Sequence, residues 1–198
     1  MTDRGDRLKG LFADRILCLD GAMGTMIQRE PLAAADFGGE EYEGCNENLV
    51  LTRPDVISRI HEAYLEAGSD LIETNTFGAT PIVLAEYNLA DRAVEINRRA
   101  AELARAACAK SGPDRFAAGS MGPTTRTITV TGGVTFDQLI DSYRLQAVGL
   151  LQGGADLLLL ETAQDTRNLK AGLLGIRRAF AETGIGRASC RERVWIPV

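Results

Sequence analysis

Twice along this chain a helical segment stops at glycine and passes through an aspartate into a short apolar run ending in Glu-Thr. The two stretches are AGSDLIET at 67–74 and GGADLLLLET at 153–162. Short connections into apolar strands, with amphipathic helices between them, are the pattern of βα units, and such units assemble into a parallel sheet. With ILCLD at 16–20 and FAAG at 116–119, strand and helix alternate four times. The first strand, read at 16–19, runs into Asp20 and a glycine-rich turn, DGAMGT. Gly21 and Gly24 leave the main chain open to a ligand. The same letters describe an ordinary turn, and what weighs against that reading is the recurrence of polar residues at later strand ends.

Composition bounds the function. The 198 residues, 45% hydrophobic, suffice for one sizeable core. Against 22 basic residues stand 27 acidic ones, a net charge of -5, which argues against a nucleic-acid surface. The N-terminus, MTDRGDRLKG, is charged and lacks the apolar run of a signal peptide. No apolar run approaches a membrane span. Cys18, Cys45, Cys108 and Cys190 are scattered, with no CxxC pair. They read as free thiols in a reducing cytosol, so the expected location is cytoplasmic. Cys18, on the same strand face as Asp20, reads as a core residue.

In order, residues 1–15 read as a polar lead-in with a helical turn near 8–12, and a helix follows at about 25–30. The irregular segment 31–48 is long enough to be functional or mobile. It ends in GCNENL, where Cys45 and Asn46 either lie over a site or belong to a surface loop with a buried thiol. Thr52 reads as the N-cap of a helix with Pro54 in its first turn and Val56, Ile57, Ile60, Tyr64 and Leu65 on one face. His61 flanks that stripe and reads as a packing residue. Helix fills most of 81–110 with a break near 88–91. Thr135 caps a further helix, with Phe136, Leu139, Ile140, Tyr143, Val148 and Leu151 inward. The leucines of 156–160 suit a strand buried on both faces, and a last helix spans 166–182.

In parallel α/β architectures ligands bind beyond the carboxyl ends of the strands. Asp20, Glu73/Thr74, Ser120 and Glu161 occupy those ends on four successive strands. Two carboxylates, Asp20 and Glu161, suit an ammonium group, and the backbone N–H groups at 21–23 suit a carboxylate. An amino-acid zwitterion fits both. The alternative is that the acids cap helices or pair with Arg126.

The stretches ILCLDGAMGTMIQ, GCNENLVLTRPDVISRIHEAYLEAGSDLIETNTFGAT, GSMGPT and VTFDQLIDSYRLQAVGLLQGGADLLLLETAQDTRNLKAG closely resemble one family. It is the homocysteine S-methyltransferases, and within it the N-terminal homocysteine-binding domain of cobalamin-dependent methionine synthases. The resemblance runs from about residue 10 to about residue 182 and implies a (β/α)8 TIM barrel. It also implies that Asp20 and Glu161 hold the homocysteine ammonium, that backbone at Gly21 and Ala22 binds the carboxylate, and that Thr74 and Ser120 line the pocket. A zinc ion activates the thiol, and methylcobalamin donates the methyl group. The implied partners are the folate- and cobalamin-binding modules of the full-length protein.

The chain departs from that family pattern in two ways. None of its cysteines lies in a zinc-ligand motif, and the resemblance places those ligands in the second half of the barrel. Residues 184–198 carry no resemblance and read as non-native. The expectation is therefore the first four βα units of the barrel, at 16–183, inactive in methyl transfer alone. A stand-alone enzyme using betaine or S-methylmethionine, and a non-catalytic amino-acid-binding or assembly module, are the alternatives.

Overall fold

A computed structural model of the chain describes residues 3–128 and 132–184. At its centre lies a parallel sheet of three strands in chain order, β1 (Leu71–Glu73), β2 (Phe116–Met121) and β3 (Leu157–Leu160). Ahead of it come α1 (Asp3–Asp14), α2 (Met23–Gln28), α3 (Ala34–Phe37), α4 (Leu49–Thr52) and α5 (Pro54–Glu66). The crossovers carry α6 (Pro81–Leu84) and α7 (Ala93–Ser111), then α8 (Phe136–Gln152), and α9 (Thr166–Thr183) follows β3. The register sets Glu73 opposite Ala118, and Ser120 opposite Leu159.

Side chains alternate along each strand, and this sorts them onto two faces. Ile72 and Ala117 meet Leu65, Ala104, Ala107 and Cys108 of the covering helices. Leu158 and Leu160 pack against the cluster built on α8 and α9. Leu71, Phe116 and Leu157 turn the other way, where Leu8, Leu11 and Leu17 meet them. Helix α1 thus closes the amino-terminal end of that face. Glu73, Ser120 and Glu161 have the same parity and stand at its carboxyl end.

Two devices fix the frame. Asp70 and Asp156, the aspartates of the repeated junction, each accept a backbone amide of the preceding strand segment, from Cys18 at 3.0 Å and Ala117 at 2.9 Å. Arginines hold both carboxylates, Arg15 and Arg115 on Asp70, Arg4 and Arg105 on Asp156. Helices α7 and α8 meet backbone to backbone. A Cβ on Gly149 would stand 2.5 Å from the Val94 carbonyl oxygen, and one on Gly153 2.2 Å from that of Arg98.

Several sequence expectations are corrected. The opening strand shrinks to one bridge, Leu19 to Leu71, because the segment pairs on one side only among the described residues. Ile16 is 90% exposed there, and Cys18 is exposed rather than in the core. So the four expected strands are three strands and a bridged segment. The leucines of β3, expected to be buried on both faces, are each half-buried, since no strand flanks their outer edge among the described residues. Thr52 ends α4, its hydroxyl donating to the Asn48 carbonyl at 3.3 Å, and Arg53 takes the cap position of α5. The lead-in carries the whole of α1. By contrast Thr135 caps α8 as read, trading hydrogen bonds with Gln138. Apart from Gly184, the segment 184–198 lies outside the described residues.

Candidate functional site

The carboxyl ends of the three strands and the turn after Leu19 bring their polar residues together. Asp20 Oδ1 accepts the Glu73 amide at 2.9 Å, while the Asp20 amide donates to the Leu71 carbonyl at 3.0 Å. The backbone of β1 therefore aims the Asp20 carboxylate. The Glu73 carboxyl hydrogen-bonds that of Glu161, and Ser120 Oγ donates to Glu161 Oε1. Asp20, Glu73, Ser120 and Glu161 form one continuous cluster.

Three carboxyl groups this close cannot all carry full charge cheaply. Burial first, and then the charge of Glu161, push Asp20 up to about 7 against the pull of two backbone amides. Burial, then Glu161 and Asp20, raise Glu73 as well. Among the described residues, the side-chain charges acting on these two groups are the negative ones of Glu161 and Asp20. Arg126 is not among the groups acting on Asp20 or Glu73. Nor do the acids cap helices, since Ala22 and Asp165 hold those positions on α2 and α9.

Thr74 is buried beside the cluster. Its Oγ1 accepts the Ser120 amide at 3.0 Å and lies 2.6 Å from Thr76 Oγ1. Thr76 Oγ1 donates to the Ser120 carbonyl at 2.7 Å. A hydroxyl has one proton, so Thr76 gives its proton to that carbonyl and Thr74 gives its own to Thr76. Thr74 thus braces Ser120 and retains only acceptor capacity toward a ligand. From α8, Gln146 Nε2 donates to the Thr76 carbonyl at 2.7 Å and fixes the same corner.

Gly21 and Ala22 are exposed beside Asp20. Ala22 has φ 40 and Thr162, directly after Glu161, has φ 54. Both lie in the left-handed region, which a β-branched residue such as Thr162 enters only under strain. The chain therefore turns sharply after each of these acids.

The segment GCNEN acts as a clamp. The Asn46 carbonyl accepts Asn75 Nδ2 at 2.7 Å, and Glu47 Oε1 accepts the Gly78 amide at 2.8 Å. It supports the loop after β1 through these bonds. Cys45 is the buried thiol of the second reading, pushed up to about 11 by burial and then by Glu47. On the other flank Phe77 lies against Gly122, where a Cβ would come within 2.7 Å of the ring.

The zinc ion that the resemblance implies does not fit these residues. Among the described residues no group of three His, Cys, Asp or Glu is placed to hold a metal. Cys18 stands at the sheet edge, and Cys45 and Cys108 lie in separate cores. His61 is fully buried, and burial pushes it down to about 4. Also among the described residues, no helix is long and apolar enough to cross a membrane.

Sequence reasoning placed Asp20, Ser120 and Glu161 at strand ends, and the structure brings them together. It set Glu73 at a strand end as well but gave it no part in the ammonium site, although the repeat aligns Glu73 with Glu161. Glu47, Thr76 and Gln146 carried no signal, because their role depends on hydrogen bonds to segments remote in sequence.

A family model, homocysteine S-methyltransferase, matches residues 17–198. The fold is similar to that of the homocysteine methyltransferase MmuM from Escherichia coli. Its oxidised form matches with TM-score 0.70 and 25% identity over 95% of this chain and 64% of that one. Its metallated form matches with TM-score 0.69 and 24% identity over 89% and 63%. The chain thus spans just under two thirds of the length of that enzyme.

Proposed function

The chain belongs to the homocysteine S-methyltransferase family, and from that premise we propose that its strand-end cluster binds the amino-acid end of L-homocysteine. Asp20 and Glu161 receive the ammonium group, the main chain at Gly21 and Ala22 receives the carboxylate, and Thr74 and Ser120 form the wall between them. The observation that carries this reading is the electrostatic balance of the cluster. Carboxyl groups held together by β1, β2 and β3, with only negative side-chain charges acting on Asp20 and Glu73 among the described residues, are stabilised by a cationic ligand. A bound ammonium supplies three N–H donors to an acceptor-only set.

In this reading the chain contributes the first four βα units of a (β/α)8 barrel, which accounts for the exposed Ile16 and the half-buried inward leucines of β3. The reaction served is methyl transfer from methylcobalamin to homocysteine, giving methionine, in an enzyme with folate- and cobalamin-binding modules. Zinc ligands lie outside the described residues, and the chain by itself binds substrate without turning it over. Isothermal titration of the 198-residue chain with L-homocysteine tests the site. Asp20→Asn and Glu161→Gln are each expected to weaken binding by about 10- to 100-fold, the loss of one charge-assisted hydrogen bond. Unchanged affinity in both variants overturns the assignment.

A further inference from the structure

Glu73 belongs to the cluster but has no part in an ammonium site made of Asp20 and Glu161 alone. Its parity on β1 turns it to the inward face, where its register partner on β2 is the fully buried Ala118. The carboxyl reaches across β2 to hydrogen-bond Glu161, whose other tie is the Ser120 hydroxyl. Two carboxyl groups in hydrogen-bond contact hold one proton between them. An ammonium group brings a full charge and three N–H donors, enough to take that proton's place and bond both side chains.

We propose that Glu73 is a third binder of the substrate ammonium, and that the ammonium enters by displacing the proton shared by Glu73 and Glu161. This rests on the reading of the cluster as the ammonium site of homocysteine and deepens it. The exchange balances simply. The ligand keeps its three ammonium hydrogens, the Glu73 carboxyl gives its proton to bulk water, and no covalent bond of the ligand changes. The charged groups facing Glu73 are Asp20, from the turn before α2, and Glu161, from the end of β3. On β2 its neighbours Ala118 and Ser120 are uncharged, and α5 and α7 cover the opposite face of β1. Burial and the two neighbouring carboxylates favour the protonated form in the ligand-free site.

The test is calorimetric titration of the full chain with L-methionine, which has the same ammonium and carboxylate as homocysteine and no ionisable thiol. Titrations near pH 7 in two buffers of different ionisation enthalpy count the protons released. Release of about one proton from the Glu73–Glu161 pair is expected, on top of about half a proton from Asp20, which lies near 7, with affinity rising up to about tenfold per pH unit on the acid side of the exchange. Glu73→Gln leaves a permanent hydrogen-bond donor toward Glu161. It is expected to cut the release to the share that Asp20 supplies, and to make the pH profile shallower while weakening binding. Buffer-independent heats in the wild-type chain overturn the proposal, and so does full proton release by Glu73→Gln. Failure of both L-methionine and L-homocysteine to bind overturns the functional reading itself, which separates the two failures.

Discussion

Asp20→Asn separates the cost of the site from its use. The folded chain holds Asp20 at about 7, against an ordinary value of 3.8. The native state therefore binds a proton that the unfolded chain has released between those two values. By linkage, stability is lost as pH rises from about 4 to about 7 and stays lost above that. At about 1.4 kcal/mol per pH unit the full effect is about 4 kcal/mol, and partial exposure of the side chain lowers it to about 2–3 kcal/mol. Asparagine keeps an Oδ1 for the Glu73 amide, which Asp20 now accepts at 2.9 Å, so the local fold is retained. The variant is expected to be about 2–3 kcal/mol more stable than wild type near pH 8 and equal to it near pH 4. Urea denaturation across that range, with unchanged m-values, is the assay. A variant whose stability runs parallel to wild type at every pH refutes the claim that burial, with Glu161 beside it, holds Asp20 at a raised value. Gain of stability with loss of homocysteine binding is the signature of a binding group held ready at a cost.

Three further outcomes follow from other parts of the molecule. His61 is fully buried, and neither ring nitrogen has a hydrogen-bond partner among the described residues. Its value near 4, against 6.5 unfolded, means stability falls as pH drops below 6.5, by about 2 kcal/mol at pH 5. His61→Leu should remove that slope in the same urea series. Gly149→Ala places a methyl against the Val94 carbonyl and Asn97. It is expected to cost about 1–3 kcal/mol in spite of better helix propensity, read as a lowered Tm. Asp70→Asn breaks the ion pairs to Arg15 and Arg115 and weakens the hold on the Cys18 amide. A loss of about 2–4 kcal/mol is expected, with hydrogen exchange at Cys18 rising more than at Ala117.

The legible part of this fold was the part written in periodicity. Apolar runs of strand length, the helix stripes and the Thr135 cap are local patterns, and β1, β2, β3, α5, α8 and α9 follow them closely. What sequence could not give depends on neighbours. A leucine at 19 or 157 looks the same whether a further strand covers it or not, so Cys18 was misread as core and β3 as doubly buried. The site divides the same way. Asp20, Ser120 and Glu161 announce themselves as polar residues closing apolar strands. Thr76, Gln146 and Glu47 act through hydrogen bonds between segments remote in sequence, which no spacing rule encodes.

The repeated junction does two jobs at once, and this explains why both its acids are acids. In each copy the aspartate opens the strand and the glutamate closes it. The opening aspartate accepts an amide of the preceding strand segment and is neutralised by arginines, so its charge is fully answered. Asp70 accordingly lies near 2, held down first by Arg15. The closing glutamate has no arginine set against it among the described residues: Glu161 takes the Ser120 hydroxyl, and Glu73, beside Asp20 and Glu161, shifts the opposite way. Residues of like chemistry at the two ends of β1 thus differ because one end is ringed by Arg15 and Arg115 and the other is not. The amino-terminal end fixes register through satisfied charge. The carboxyl end leaves its charge for a ligand cation to satisfy, and a basic residue introduced there, such as Ala118→Lys, should occupy the cluster itself and compete with homocysteine.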